Sequence, residues 1–185
     1  MPKLYTIGHS TRTAEAFRDL LAENGVRLLI DVRRFPGSRR WPHFNADAMR
    51  QWLSDAQIDY RHEPDLGGRR KGNPDSPNGY WTNDSFRAYA DYLSTPEFRA
   101  ALARLVGLAQ ERPTAIACSE AVPWRCHRRL IADVLVSRGF EVLDILRPGH
   151  AEPHVLNPHA VVQSDGTLIY PAEDATVQQR LPGLG

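Results

Sequence analysis

Lysine is almost absent from this chain: of 23 basic residues only Lys3 and Lys71 are lysines, and the other 21 are arginines. Positive charge is therefore delivered as planar forks, which suit phosphate, carboxylate and base edges better than an ammonium does. Cysteine is as scarce. Two in 185 residues exclude a disulfide-stapled scaffold and leave Cys118 and Cys126 as reduced, metal-bound or catalytic thiols. A large excess of either charge is missing too, and a net charge of +1 excludes a global attraction to polyanions. No apolar run approaches the roughly 18 residues of a membrane span, so no membrane partner is expected. The polar start Met-Pro-Lys leads straight into a strand rather than a signal-peptide core, and the expected location is cytoplasmic. Internal repeats and low-complexity segments are also lacking, which excludes a solenoid.

What is present is an ordinary globular composition, 42% hydrophobic and 24% charged, in a length that fits one domain with a sizeable core. Strand and helix patterns alternate along it. Residues 4–7, 28–32, 58–60, 114–117 and 142–146 are short apolar runs of buried-strand type. Between them come helical patterns: Phe17, Leu20 and Leu21 behind a Thr13 cap and before Gly25; Met49, Trp52 and Leu53 behind an Asn45 cap; and Leu130, Ile131, Val134 and Leu135. A further pair is split at Thr95-Pro96, with Phe86, Tyr89, Ala90 and Leu93 before the break and Phe98, Leu102, Leu105 and Ala109 after it. This alternation predicts an α/β fold, with a mainly parallel sheet of about five strands flanked by helices. The core spans about residues 1–148. Residues 149–185 add a hairpin around Asp165-Gly166 and a tail. Residues 61–83, rich in Gly, Pro, Asn and charge, form a long loop that reads as a mobile cover.

In a parallel sheet the residues just after each strand share the carboxyl edge, where α/β proteins collect ligands. That edge would gather His9, Ser10 and Thr11; Asp31, Arg33 and Arg34; His62, Glu63, Gly67 and Gly68; and Cys118, Glu120, Cys126, His127 and Arg128. A cysteine near a helix start, with Arg125, His127 and Arg128 around it, is drawn toward thiolate by the unpaired N–H groups and the cations. Cys126 is therefore the expected nucleophile, Cys118 the second thiol, and Glu120 or His127 the proton carrier. A His127 that follows Cys126 within a helix would point about 100° away from it, so His9 or His62 is the better-placed base. Tyr80 and Trp81, with Trp41, offer stacking surface beside arginine clusters, and the expected substrate is an anionic small molecule, nucleotide or nucleic acid.

Other chemistries are weighed on spacing. A phosphatase loop needs arginine six positions after its cysteine, and Trp124 and Ala132 stand there instead. The run Leu29-Ile30-Asp31-Val32-Arg33 resembles the early strand motif of rhodaneses, which keeps a sulfurtransferase or thiol-redox protein as an alternative. No cofactor is required by the sequence. A zinc-binding or nucleic-acid-binding module without catalysis remains an alternative, with Cys118, Cys126 and His9 as the zinc ligands, although seven residues between the cysteines are not a usual chelating spacing. Residues 178–185, with Gln178, Leu181 and Leu184 as anchors, resemble the terminal peptides that dock on the sliding clamp. The oligomeric state is not readable.

Thr6-Ile7-Gly8-His9-Ser10-Thr11, Ile30-Asp31-Val32-Arg33 with Pro36 and Ser38, Leu66-Gly67-Gly68, the segment of residues 83–89, and Cys118-Ser119-Glu120 with Cys126-His127-Arg128 together resemble the DUF488 family. The resemblance implies an α/β fold and a cysteine-bearing motif, and it supplies no substrate.

Overall fold

Alternation along a strand puts Leu4 and Thr6 on one face and Tyr5 and Ile7 on the other, and both faces are covered. The computed structural model describes residues 3–173. Its sheet has six strands: β1 (Lys3–Gly8), β2 (Leu28–Asp31), β3 (Asp59–His62), β4 (Thr114–Cys118), β5 (Glu141–Arg147) and β6 (His150–Pro153), in the order β3-β2-β4-β1-β5-β6. The first five are parallel, and β6 runs antiparallel to β5. The sequence pattern does not show β6, because His-Ala-Glu-Pro is too short and polar to alternate. It exists because Gly149, at φ +73°, turns the chain back onto β5.

Among the described residues five α-helices cover the sheet: α1 (Ala14–Glu23), α2 (Ala46–Asp55), α3 (Asp84–Tyr92), α4 (Pro96–Glu111) and α5 (Arg128–Ser137). Phe17, Leu20, Leu21, Met49 and Leu53 from α1 and α2 bury Tyr5, Ile7, Leu29, Ala115 and Ala117 on one face. The helices α3, α4 and α5 bury Leu4, Leu28, Ile30, Ile116 and Cys118 on the other. Strands buried on both sides explain the continuous apolar runs. Thr13, Asn83 and Thr95 cap α1, α3 and α4 through their side-chain oxygens. Asn45 precedes α2 as expected, but its side chain does not cap; its Oδ1 accepts from Ser38 N at 2.5 Å and ties down the preceding loop instead.

Connectivity places the site. From β1 the chain moves through α1 to β2 and through α2 to β3, toward one edge; from β3 through α3 and α4 to β4, and through α5 to β5, it moves toward the other. The neighbours β1 and β4 therefore send their following segments in opposite directions and over opposite faces. A crevice opens between them at the carboxyl edge, the switch point at which doubly wound sheets bind ligands.

The long loop is more structured than its composition suggests. A 3₁₀ turn, Pro64–Leu66, follows β3, and buried Asn78 donates to Asp91 Oδ1 (2.7 Å) and accepts from Tyr170 N (2.8 Å). This pins the loop to a hairpin of β7 (Val161–Val162) and β8 (Leu168–Ile169), turned at Asp165-Gly166 as expected. The clamp-like segment, residues 178–185, lies outside the described residues. Among the described residues no helix is long and apolar enough to cross a membrane.

Candidate active site

The crevice is a cavity of about 630 Å³. Its floor comes from the segments after β1 and β4, which stay in register past the strand ends: His9 N donates to Cys118 O (3.0 Å) and Ser10 N to Ser119 O (2.9 Å). This approach requires Gly8. A Cβ there would overlap the carbonyl oxygen of Glu120, so only glycine lets the 119–121 segment cross β1. Ser10 (φ 46°) and Arg69 (φ 59°) hold left-handed backbone on the cavity wall, a conformation that costs non-glycine residues energy and clusters at functional sites.

Ten of the expected site residues line this cavity: His9, Ser10, Thr11, Arg33, Arg34, Gly68, Cys118, Glu120, Cys126 and His127. The sulfurs of Cys118 and Cys126 are in direct contact, which pairs the two cysteines, with their Cα atoms 7.4 Å apart. Cys118 Sγ accepts from Arg128 Nη1 at 2.7 Å, and Cys126 Sγ accepts from the backbone N of Arg128 at 3.4 Å.

His127 departs from its expected orientation. A 3₁₀ turn, Pro123–Arg125, intervenes, and Cys126 is extended (φ −130°, ψ 146°), so α5 begins only at Arg128. The helical argument that turned His127 away therefore does not apply, and its Nδ1 stands 3.7 Å from Cys126 Sγ. His127 Nε2 donates to Val32 O (3.0 Å), which fixes the neutral tautomer with Nδ1 as acceptor toward the thiol. Burial lowers this imidazole to about 4, so it is uncharged at neutral pH. His9 is likewise lowered to about 4 by burial; it stacks on Phe44, donates from Nδ1 to Ser10 O, and faces Arg33 Nη1 with Nε2 at 3.4 Å. His62, the other candidate base, is occupied with Arg33 O at 2.7 Å and does not line the cavity.

The remaining expected residues stand behind or beside the cavity. Asp31 is fully buried and grips Arg33 with both oxygens, Nε to Oδ1 at 2.9 Å and Nη2 to Oδ2 at 2.7 Å, while Tyr60 OH donates to it as well. Gly67 packs on the backbone of Arg34, with no room for a Cβ. Tyr80 stacks on His159, and Trp81 is buried among Phe86, Tyr170 and the Arg129 guanidinium, so neither offers an open face to the cavity. Arg128 is 0% exposed and has no surface for an anion.

The mouth carries what the floor lacks. Arg34 and Arg69 both lie over the ring of Phe35, which is 64% exposed, and Arg34 Nη1 donates to Arg69 O. Arg125 opens onto the same space. Asn83, Ser85, Phe86 and Tyr89, from α3 and its cap, complete the lining together with Gly37, Ser38, Trp41 and Ser119, so that Trp41 alone of the three expected stacking aromatics faces the cavity. The signal for the α3 residues is the 83–89 segment, which reads locally as a capped helix and otherwise only as part of the family resemblance. Among the described residues no group of three or more His, Cys, Asp and Glu is placed to hold a metal ion. The zinc set of Cys118, Cys126 and His9 is not assembled, because His9 spends both ring nitrogens elsewhere.

A family model described as "Domain of unknown function DUF488" matches residues 13–135 of the chain. No curated protein matches the chain, and no solved structure does.

Proposed function

The chain belongs to the DUF488 family, whose description names a domain and no reaction, and from that premise we propose a thiol-dependent enzyme acting on an anionic, phosphate-bearing substrate, a nucleotide or nucleic acid. One observation carries the proposal. The paired sulfurs of Cys118 and Cys126 form the floor of a cavity whose mouth holds Arg34, Arg69 and Arg125, none of them ion-paired with a carboxylate among the described residues. By contrast Arg33, Arg99, Arg104 and Arg112 each hold a carboxylate. Forks that hold no carboxylate around a concave site suit an incoming anion.

In this reading Arg34, Arg69 and Arg125 take the phosphate, while Ser10 and Thr11 supply hydroxyls. The exposed ring of Phe35 stacks on a base. In the reduced protein the Cys126 thiol faces His127 Nδ1 as its hydrogen-bond acceptor, the exposed carboxylate of Glu120 exchanges protons with solvent, and neutral His9 holds the inner wall. A second reading, a thiol-redox protein, is favoured by the same sulfur contact: the reduced pair would pass two electrons and two protons to a disulfide substrate, which leaves as two thiols while Cys118 and Cys126 join.

The test is binding of a labelled single-stranded oligonucleotide and of a nucleoside triphosphate to the full chain at rising salt. The expected result is a log-affinity slope of about −0.7 per phosphate neutralised on the single strand. The double variant Cys118→Ser with Cys126→Ser should still bind and should fail to convert whatever the wild type converts. Binding of neither ligand at low salt ends the anionic-substrate proposal, and turnover of a small disulfide alone establishes the second reading in its place.

A further inference from the structure

Arginine 128 is the largest side chain that is wholly buried, and its guanidinium has no carboxylate within ion-pairing distance among the described residues. Its acceptors are the Thr6 hydroxyl (Nε, 3.3 Å), the carbonyls of Glu120 (Nη1, 2.6 Å) and Ala121 (Nη2, 3.2 Å), and Cys118 Sγ (Nη1, 2.7 Å). Three are neutral oxygens. A buried cation met only by neutral acceptors is expensive, and the sulfur is the one contacting atom able to become an anion.

From this geometry we infer that, once the pair is reduced, Cys118 and not Cys126 is the thiolate, with Arg128 as its counter-ion and positioning residue. The inference rests on the thiol reading above and assigns its nucleophile. Cys126 has weaker company, a backbone N–H at 3.4 Å and an imidazole at 3.7 Å, and a charge-assisted bond outweighs neutral ones by roughly twofold. The titratable and charged groups around Cys118 and Arg128 are His9 and Arg12 from the segment after β1, Arg33, Arg34 and Arg69 on the cavity wall, Glu120, Arg125, Cys126 and His127 from the segment after β4, and Asp144 from β5. Glu120 and Asp144 oppose a thiolate; the first is exposed and the second is already bonded to Thr6 and His154.

The surroundings of Arg128 agree. Asp144 makes no ion pair with Arg128 but meets it through Thr6, whose Oγ1 donates to Asp144 at 2.5 Å, and Asp144 is itself bonded to His154 at 2.8 Å. Burial lowers the Arg128 guanidinium to about 10 despite Asp144 and Glu120, the mark of a cation short of counter-charge. The role also explains why an arginine at the start of α5 points inward: its fork joins the 120–121 carbonyls, which cross over Gly8, to the sulfur beside them.

Thiolate absorbance at 240 nm, followed across pH on reduced full-length protein, tests the assignment without requiring reagent access or substrate. Cys126→Ser leaves Cys118 as the sole thiol, and its inflection should fall at least about one pH unit below the ordinary 8.5, a tenfold larger thiolate fraction. Cys118→Ser, which leaves Cys126 alone, should titrate closer to 8.5. On the Cys126→Ser background, Arg128→Lys should raise the inflection and Arg128→Met should raise it further. Circular dichroism screens those two variants for folding, and the single-thiol comparison stands without them. An inflection for Cys118 at or above 8.5, or above that of Cys126, overturns the inference. Because no ligand is involved, that failure is separate from a failure to bind oligonucleotide.

Discussion

Gly8 and Glu120 sit so close that a methyl group on Gly8 would overlap the Glu120 carbonyl oxygen. The same oxygen accepts the Arg128 fork at 2.6 Å. Strand β1, the segment after β4 and the first residue of α5 thus meet at one atom, next to Cys118. Gly8→Ala must displace backbone, which cannot yield as a flexible side chain does. It is expected to cost about 3 kcal/mol or more, seen in urea denaturation, and to raise the Cys118 inflection as the segment moves away. A Gly8→Ala protein as stable as the wild type contradicts this packing.

Asp31 is expected to matter as the anchor of Arg33 rather than as a ligand for substrate. Its carboxylate takes both ends of the Arg33 fork and the Tyr60 hydroxyl. Asp31→Ala leaves a nearly buried guanidinium unpaired and should lower stability by about 3–5 kcal/mol. Asp31→Asn, which keeps an oxygen acceptor, should cost less. Chemical denaturation of both variants checks the order, and a smaller loss for alanine than for asparagine would refute it.

Stability should peak near pH 6.5, where the effects of three histidines cross. At His154 burial opposes the charge, but hydrogen bonds to Asp133 (2.9 Å) and Asp144 (2.8 Å) outweigh it and raise the group to about 9. Its folded pKa lies above the unfolded value of about 6.5, so its contribution is complete below pH 6.5 and is lost as pH rises through 9. That alkaline limb is worth ~3 kcal/mol. His9 and His127, lowered to about 4 by burial, act in the opposite sense. Below pH 6.5 the unfolded chain takes protons that the folded chain refuses, so stability falls as pH drops toward 4. His154→Gln should flatten the alkaline limb and leave the acid limb intact. Denaturation at pH 5, 6.5 and 9.5 reads both limbs, and a wild-type profile that rises from 6.5 to 9.5 would exclude this account.

Arg69→Ala and Arg125→Ala are expected to separate binding from folding. Both residues are exposed and hold no carboxylate among the described residues, so each change should alter stability by no more than about 0.5 kcal/mol. Each should weaken oligonucleotide binding and make the salt dependence shallower by about 0.7 if one phosphate contact is lost. Arg33→Ala and Arg128→Ala are poorer tests of anion binding, because both side chains are committed to internal partners and their removal disturbs the fold. Unchanged affinity and slope in both surface variants would remove the mouth arginines from the binding site.

The elements that sequence alone determined are those whose cause is local. Apolar runs such as Leu28-Leu29-Ile30 identify strands because a doubly covered sheet demands apolar residues on both faces. Thr13, Asn83 and Thr95 identify helix starts because a short side-chain oxygen beside free N–H groups needs no distant partner. Alternation of those elements gave the α/β class, and with it the expectation that His9, Arg33, Gly68 and Cys118 share an edge. Strand order was beyond reach, since nothing local to β1 states that β4 will lie beside it. Yet that adjacency creates the switch point and brings Cys118 opposite Gly8. Side-chain roles within the site were equally non-local. Arg128 reads as an anion ligand in one dimension, and only the packing of α5 against β1 and β4 turns it inward. Trp81 reads as a stacking surface until the hairpin at Tyr170 buries it. His127 was turned away from Cys126 on the assumption of helix, and one extended residue reverses that. Periodicity reports what a residue does to its own backbone; which sulfur an arginine meets depends on contacts made across more than a hundred residues, such as Arg128 to Thr6, and these exist only once the sheet has formed.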